Sequence, residues 1–249
     1  MNCPLRPHTG NRKRHGLGAV VAAGTRRLLS VVVGVLVCST VGEAASSSAA
    51  HDTPPAVPRE FRGVWIATKA NIDWPSRPGL PAAQQKAELI KILDHASRLR
   101  LNAVILQVRP ACDAFYASNL EPWSEYLTGT MGAAPSPFYD PLAFAVTEAH
   151  RRGLELHAWF NPFRARIAGA KSATATNHVS VTRPEWVRRY GENLWQDPAD
   201  PGVQRHALHV MLDVLRRYDV DGIHIDDYFY PYPEKNVPKS ALDALDERS

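Results

Sequence analysis

The feature that most constrains this chain is an alternation of short apolar strands with amphipathic helices that begins at Phe61. Arg62–Ala67 reads as a first strand. Pro81–Leu101 reads as a helix whose Leu89, Ile92, Leu93, Ala96 and Leu99 share a face, with Pro81 near its start. Asn102–Arg109 is a second strand, Pro141–Arg152 a helix stopped by Gly153, and Leu154–Asn161 a third strand. Val203–Tyr218 is a third helix with Leu208, Met211, Leu212 and Leu215 on one stripe, and Gly222–Asp227 a fourth strand. Strands separated by helices pair in parallel through right-handed crossovers, which makes this an α/β chain.

The connections are unequal. Helix-to-strand turns are short, whereas the strand-to-helix segments 68–80, 110–140 and 161–202 are long. Long loops confined to the C-terminal ends of parallel strands fit a (β/α)8 TIM barrel, which builds its working site there. A doubly wound sheet also places its ligand at strand C-termini and remains the other reading of the pattern.

Strand parity selects an inner face. Val64 and Ile66 point to the helices, leaving Trp65 and Ala67 inside; Val104, Leu106 and Val108 leave Gln107 and Arg109 inside. In the third strand Leu154, Leu156, Ala158 and Phe160 oppose His157, Trp159 and Asn161. An interior carrying Trp65, Gln107, Arg109, His157, Trp159, Asn161 and His224 is a poor core and a good binding surface. Taken singly, each has a structural explanation: a hydrogen-bonded core histidine, a packing tryptophan, or an arginine that is a surface charge or a partner for Asp113.

The segment Asp221-Gly-Ile-His-Ile-Asp-Asp-Tyr-Phe-Tyr-Pro-Tyr-Pro233 ends the fourth strand in adjacent carboxylates and a run of aromatics. Ile223 and Ile225 alternate with His224 and Asp226, so Asp226 shares the inner face. Carboxylates at a strand end beside aromatic rings suit a sugar, whose C–H faces stack while its hydroxyls bond to acids. Asp226 is the first catalytic candidate and Asp227 the second, with Tyr228 beside them. Neighbouring strand residues point to opposite faces, so the two carboxylates do not form the acid/base pair between them. Asp113 and Asp73 are weaker local partners.

Residues 1–44 read as a secretory signal peptide: a basic stretch through Arg27, an uncharged apolar run Leu28–Val41, then Gly42 and Ala44 at small-residue positions. The apolar run is shorter than an ordinary membrane span. Thr25-Arg26-Arg27-Leu28-Leu29 leaves twin-arginine export open beside the general route. Six of the 29 basic residues and one of the 25 acidic residues lie in this leader, so the remainder is within one charge of neutrality. That excludes a broad nucleic-acid surface. Cys3 and Cys38 fall in the leader, leaving Cys112 without a disulfide partner and more in keeping with a small filler than a nucleophile. Residues 45–58 are small, polar and proline-rich, a linker ahead of a domain over 59–249.

Several long motifs, in order, carry a family resemblance. They are Glu60-Phe-Arg-Gly-Val-Trp-Ile-Ala-Thr68 with Asn71-Ile-Asp-Trp-Pro75, Asn102-Ala-Val-Ile-Leu-Gln-Val-Arg-Pro110 with Asp113-Ala-Phe-Tyr116, and Glu121-Pro-Trp-Ser124. Leu156-His-Ala-Trp-Phe-Asn-Pro-Phe-Arg164 and Asp221–Pro231 complete the set. Over about residues 60–235 the chain resembles the bacterial glycosyl-hydrolase-like family ten. The resemblance implies a (β/α)8-barrel glycosidase of the bacterial envelope, acting on peptidoglycan strands stripped of stem peptides, without a cofactor. It also implies an N-terminal half only, with four parallel strands and three main helices, since the family continues through four more units. The second catalytic carboxylate is then expected in that other half. An inactive glycan-binding protein or truncated gene product, and a metal-dependent barrel hydrolase using His157, His224 and Asp226, stand as alternatives.

Overall fold

A computed structural model of the chain describes residues 60–226. In chain order the elements are β1 (Gly63–Ile66), α1 (Ala82–Arg98), β2 (Ala103–Arg109), α2 (Glu125–Thr128), α3 (Pro141–His150) and β3 (Glu155–Phe160). Then come β4 (Arg164–Arg166), α4 (Val179–Thr182), β5 (Val187–Tyr190), β6 (Asn193–Gln196), α5 (Pro201–Arg217) and β7 (Gly222–Ile225). Strands β1, β2, β3 and β7 form one sheet in that order, each neighbouring pair parallel, with α1, α3 and α5 in the crossovers. The four expected strands and three expected helices are all present, the helices ending a few residues inside the sequence-based limits.

Helix starts follow their capping residues. Asp140 accepts the Ala143 amide ahead of α3, and Asp200 accepts the Gly202 and Val203 amides ahead of α5. Each is followed by a proline at the first helical position, where no N–H is needed. The core lies between sheet and helices. Leu89, Leu93 and Ala96 of α1 and Leu142, Ala145 and Ala149 of α3 pack on Val104, Leu106, Leu156 and Ala158. Each fully buried leucine contributes about 2–3 kcal/mol.

Two helix-face expectations are corrected. In α5 the buried residues are Val203, Ala207, Val210 and Val214, while Leu208 and Leu215 are about half exposed. The helix carries two adjacent apolar stripes; the one of smaller side chains lies on the sheet, about 100° from the leucines. Leu99, placed on the buried face of α1, caps the helix and is exposed. The segment 161–202 is also more than a connection, because it builds a second, antiparallel sheet of order β4-β6-β5. Its β5–β6 hairpin turns through Gly191 at φ 58°, a conformation glycine adopts without steric cost.

The four-stranded sheet is curved. The rings of Trp65 on β1 and His224 on β7 lie 5.1 Å apart although β2 and β3 intervene. Three strand spacings in a flat sheet span about 14 Å. Inward side chains of the outer strands meet only because the sheet bends, as a sector of a barrel does.

Candidate active site

Register sorts the inner face into rows. Trp65, Ile105, His157 and Gly222 are paired across the four strands, and Gln107, Trp159 and His224 form the row above. Arg109, Asn161 and Asp226 stand at the C-terminal strand ends, where the long loops begin.

The structure brings Trp65, Trp159 and His224 together. The two indoles are 5.3 Å apart, and His224 lies 6.2 Å from Trp159. Trp65 is 52% exposed, whereas Trp159 is buried, so only the first offers a ring face to a ligand. His157 sits a row lower, its Nε2 3.1 Å from Glu155 and its ring edge-on to Phe61. It occupies the space beside Gly222, where a Cβ would fall 2.4 Å from its Nδ1. No group of three His, Cys, Asp or Glu is placed to share an ion among the described residues, so His157 does not join His224 and Asp226 as the metal alternative requires.

Gln107, Arg109 and Asn161 are all buried and hold the loops rather than face a ligand. Gln107 Oε1 accepts the amides of Thr68 at 3.1 Å and Lys69 at 2.8 Å, and the Thr68 hydroxyl donates to the Gln107 carbonyl. Asn161 Oδ1 accepts the Arg164 amide at 2.7 Å. Arg109 does not pair with Asp113. Its guanidinium forks onto Glu121, Nε at 2.8 Å and Nη2 at 2.5 Å, and donates to the carbonyls of Asn161 and Pro162. His206 Nε2 reaches the same Glu121 at 3.0 Å. Burial opposes ionisation of Glu121, but the Arg109 charge and the bonds from His206 and Arg109 hold it at about 2.

The weaker acid candidates have other surroundings. Asp73 Oδ2 accepts the Ala67 amide at 2.7 Å and so shapes the loop after β1. Asp113 is fully buried, accepts the Ala111 amide, and is pushed up to about 6 by burial. Burial also pushes the Cys112 thiol up to about 12, so it is protonated and a poor nucleophile.

Asp226 follows β7 directly, at the level of the loop mouths. One cation that the strand pattern did not single out feels its carboxylate. Lys69, three residues beyond β1, is lowered by burial and by Arg164, and raised by the carboxylate of Asp226. Arg164, at the start of β4, is buried, with its guanidinium over the Trp195 ring and donating to the Pro110 carbonyl. Beside Lys69 the loops after β1, β2 and β3 enclose a cleft of about 390 Å³ lined by Asn71, Arg77, Glu125, Tyr126 and Lys171. Asp227 and Tyr228 lie outside the described residues.

A curved parallel sheet with crossover helices and a polar mouth at its strand C-termini defines a partial (β/α) barrel. The chain matches the family described as glycosyl hydrolase-like 10 over residues 60–241, and it belongs to that family. It is 43% identical over 208 residues to glycosyl hydrolase YngK of Bacillus subtilis (strain 168), covering 83% of this chain and 39% of that protein. It is 36% identical over 229 residues to glycosyl hydrolase DigH of Escherichia coli (strain K12), covering 82% of this chain and 52% of that protein. The chain thus spans about half or less of the curated relatives it matches. Among solved structures, an α-galactosidase from Thermus thermophilus aligns at 17% identity and TM-score 0.43, over 77% of this chain and 36% of that one.

Proposed function

We propose that this chain supplies the substrate-binding floor and one catalytic carboxylate, Asp226, of an exported glycoside hydrolase. The substrate we assign is a bacterial envelope glycan, peptidoglycan strands already freed of stem peptides. The observation that carries the reading is the meeting of the Trp65 and His224 rings across the curved sheet, with His224 two residues before Asp226 on the same strand end. An exposed indole offers an apolar plate to a sugar ring, and a carboxylate at a strand C-terminus stands where barrel enzymes do chemistry. Glycoside hydrolysis needs two carboxyl groups, one giving a proton to the leaving oxygen and one acting as base or nucleophile. Asp227 is kept as the second candidate beside Asp226. The leader-like residues 1–44 fit export to the periplasm or beyond, where such a glycan is found.

The test uses the full-length protein with its leader removed. It is incubated with peptidoglycan before and after amidase treatment, and products are separated and weighed by mass spectrometry. Release of short glycan fragments from the stripped strands, lost in Asp226→Asn, is the expected result. Binding to the strands without fragments, unchanged in Asp226→Asn, would make the protein a glycan-binding module instead.

A further inference from the structure

Building on the hydrolase reading, we propose that the cleft between the loops after β1, β2 and β3 is a subsite for a carboxylate-bearing sugar unit, with Arg77 and Lys171 recognising its charge. Arg77, Tyr126 and Lys171 line it, one from each of the three loops, around a space of about 390 Å³. That volume falls in the range of small-ligand sites, about 300–1,000 Å³. Both cations are exposed, and among the described residues neither side chain has a hydrogen bond or an ion pair.

The acid in the cleft wall is already engaged. Glu125 is buried, its Oε2 accepting the Lys171 and Ser172 amides at 2.9 Å each and its Oε1 lying 3.5 Å from Arg166 Nη2. It therefore anchors the backbone that carries Lys171 while Arg166 matches its charge. On the facing loop, Ser76 beside Arg77 donates to Glu88 through its amide at 3.0 Å and its hydroxyl at 2.6 Å. Asn71 Nδ2 donates to the carbonyls of Pro75 and Tyr126 at 2.9 and 2.7 Å, tying that loop to the one after β2. Ala70 and Asn71 hold left-handed φ of 52° and 55°, which non-glycine residues keep only where their surroundings impose it, as in ligand clamps. Two cations carried on anchored backbones set a positive potential in the cleft, and a carboxylate gains from the guanidinium fork and the ammonium together. In a peptidoglycan strand the matching group is the lactyl carboxylate. It is free once the stem peptide is gone and an uncharged amide while the peptide is attached, so the cleft selects stripped strands by charge.

The test is calorimetric titration of the full-length protein, as Asp226→Asn, with a short stripped strand and with the same strand after its lactyl carboxyls are converted to methyl amides. The free acid should bind about tenfold more tightly at low salt, a ratio that falls as salt is added. Arg77→Met combined with Lys171→Met should bring the ratio to about one. Lys91→Met combined with Arg98→Met, two exposed cations of α1, should leave it unchanged. Equal affinity for acid and amide, which needs no cleft variant to detect, overturns the subsite, as does an equal loss in the α1 variant. Turnover separates this outcome from the hydrolase reading. A wild type that cleaves acid and amide strands alike keeps the hydrolase and loses the subsite. If it cleaves neither yet prefers the acid through Arg77 and Lys171, the cleft stands as an anionic-sugar site and the hydrolase reading falls.

Discussion

Gln107 Oε1 accepts the backbone amide of Lys69 at 2.8 Å, tying the loop after the first strand to the second strand beside it. The same oxygen takes the Thr68 amide at 3.1 Å. Replacing it with a methyl-bearing side chain leaves two amides short of an acceptor in a buried setting. Gln107→Met should therefore cost about 2–6 kcal/mol in urea denaturation, at roughly 1–3 kcal/mol for each unsatisfied group. It should also release Lys69 from the mouth. Activity would then fall more than stability at 25 °C explains, and an unchanged turnover with a stable fold would separate Gln107 from the site.

The Arg109–Glu121 pair holds the loop after β2 against the sheet. Both side chains are essentially buried, and truncating one partner strands the other charge. Glu121→Gln should destabilise by about 3–5 kcal/mol. The folded carboxyl sits at about 2 against an ordinary 4.5. A depressed carboxyl contributes stability that is present above its unfolded value and lost as pH falls through the folded one. Wild type should accordingly lose stability between about pH 4.5 and pH 2, and the Gln variant should lack that part of the acid transition.

Trp65 tests the binding surface with little risk to the fold. The indole is about half exposed and outside the main core. Trp65→Ala should leave the melting temperature within a few degrees and weaken binding to stripped glycan strands by about tenfold, near 1.4 kcal/mol of lost stacking. Calorimetric titration with short glycan strands reads this directly. Equal affinity for both proteins would remove Trp65 from the sugar site.

Much of this arrangement was legible in the sequence, for a physical reason. A strand's two-residue period fixes which side chains share a face, and Val104, Leu106, Leu156 and Ala158 mark the helix side plainly. Trp65, Trp159 and His224 therefore met as parity implied. Parity gives direction but not depth. Gln107, Arg109 and Asn161 are buried, and Gln107 and Arg109 are covered by loops that bond to them across 12 to 53 residues of sequence. No local pattern encodes such contacts. Lys69 lies in an irregular segment and Arg164 opens a three-residue strand too short to show a period, though both sit within or beside the motifs that carried the family resemblance. In α5, two neighbouring apolar stripes made the period ambiguous by one residue, and close packing against the sheet selected the smaller side chains.

Asp113 gives the molecule an opposite pH response. Its carboxyl is fully buried, with Oδ1 accepting the Ala111 amide. Burial raises it from 3.8 to about 6. A raised carboxyl contributes stability that is complete below its unfolded value and is lost as pH climbs through the folded one, so the loss falls between about pH 4 and pH 6. The size is on the order of 3 kcal/mol, at 1.36 kcal/mol for each pH unit. Asp113→Asn keeps an acceptor for the Ala111 amide and removes the ionisation. The variant should match wild type near pH 4, exceed it by roughly 2–3 kcal/mol at pH 7.5, and show no loss across that window. Denaturant melts at half-unit pH steps decide the matter: parallel curves for the two proteins from pH 4 to 7.5 would mean that Asp113 titrates as an ordinary carboxyl.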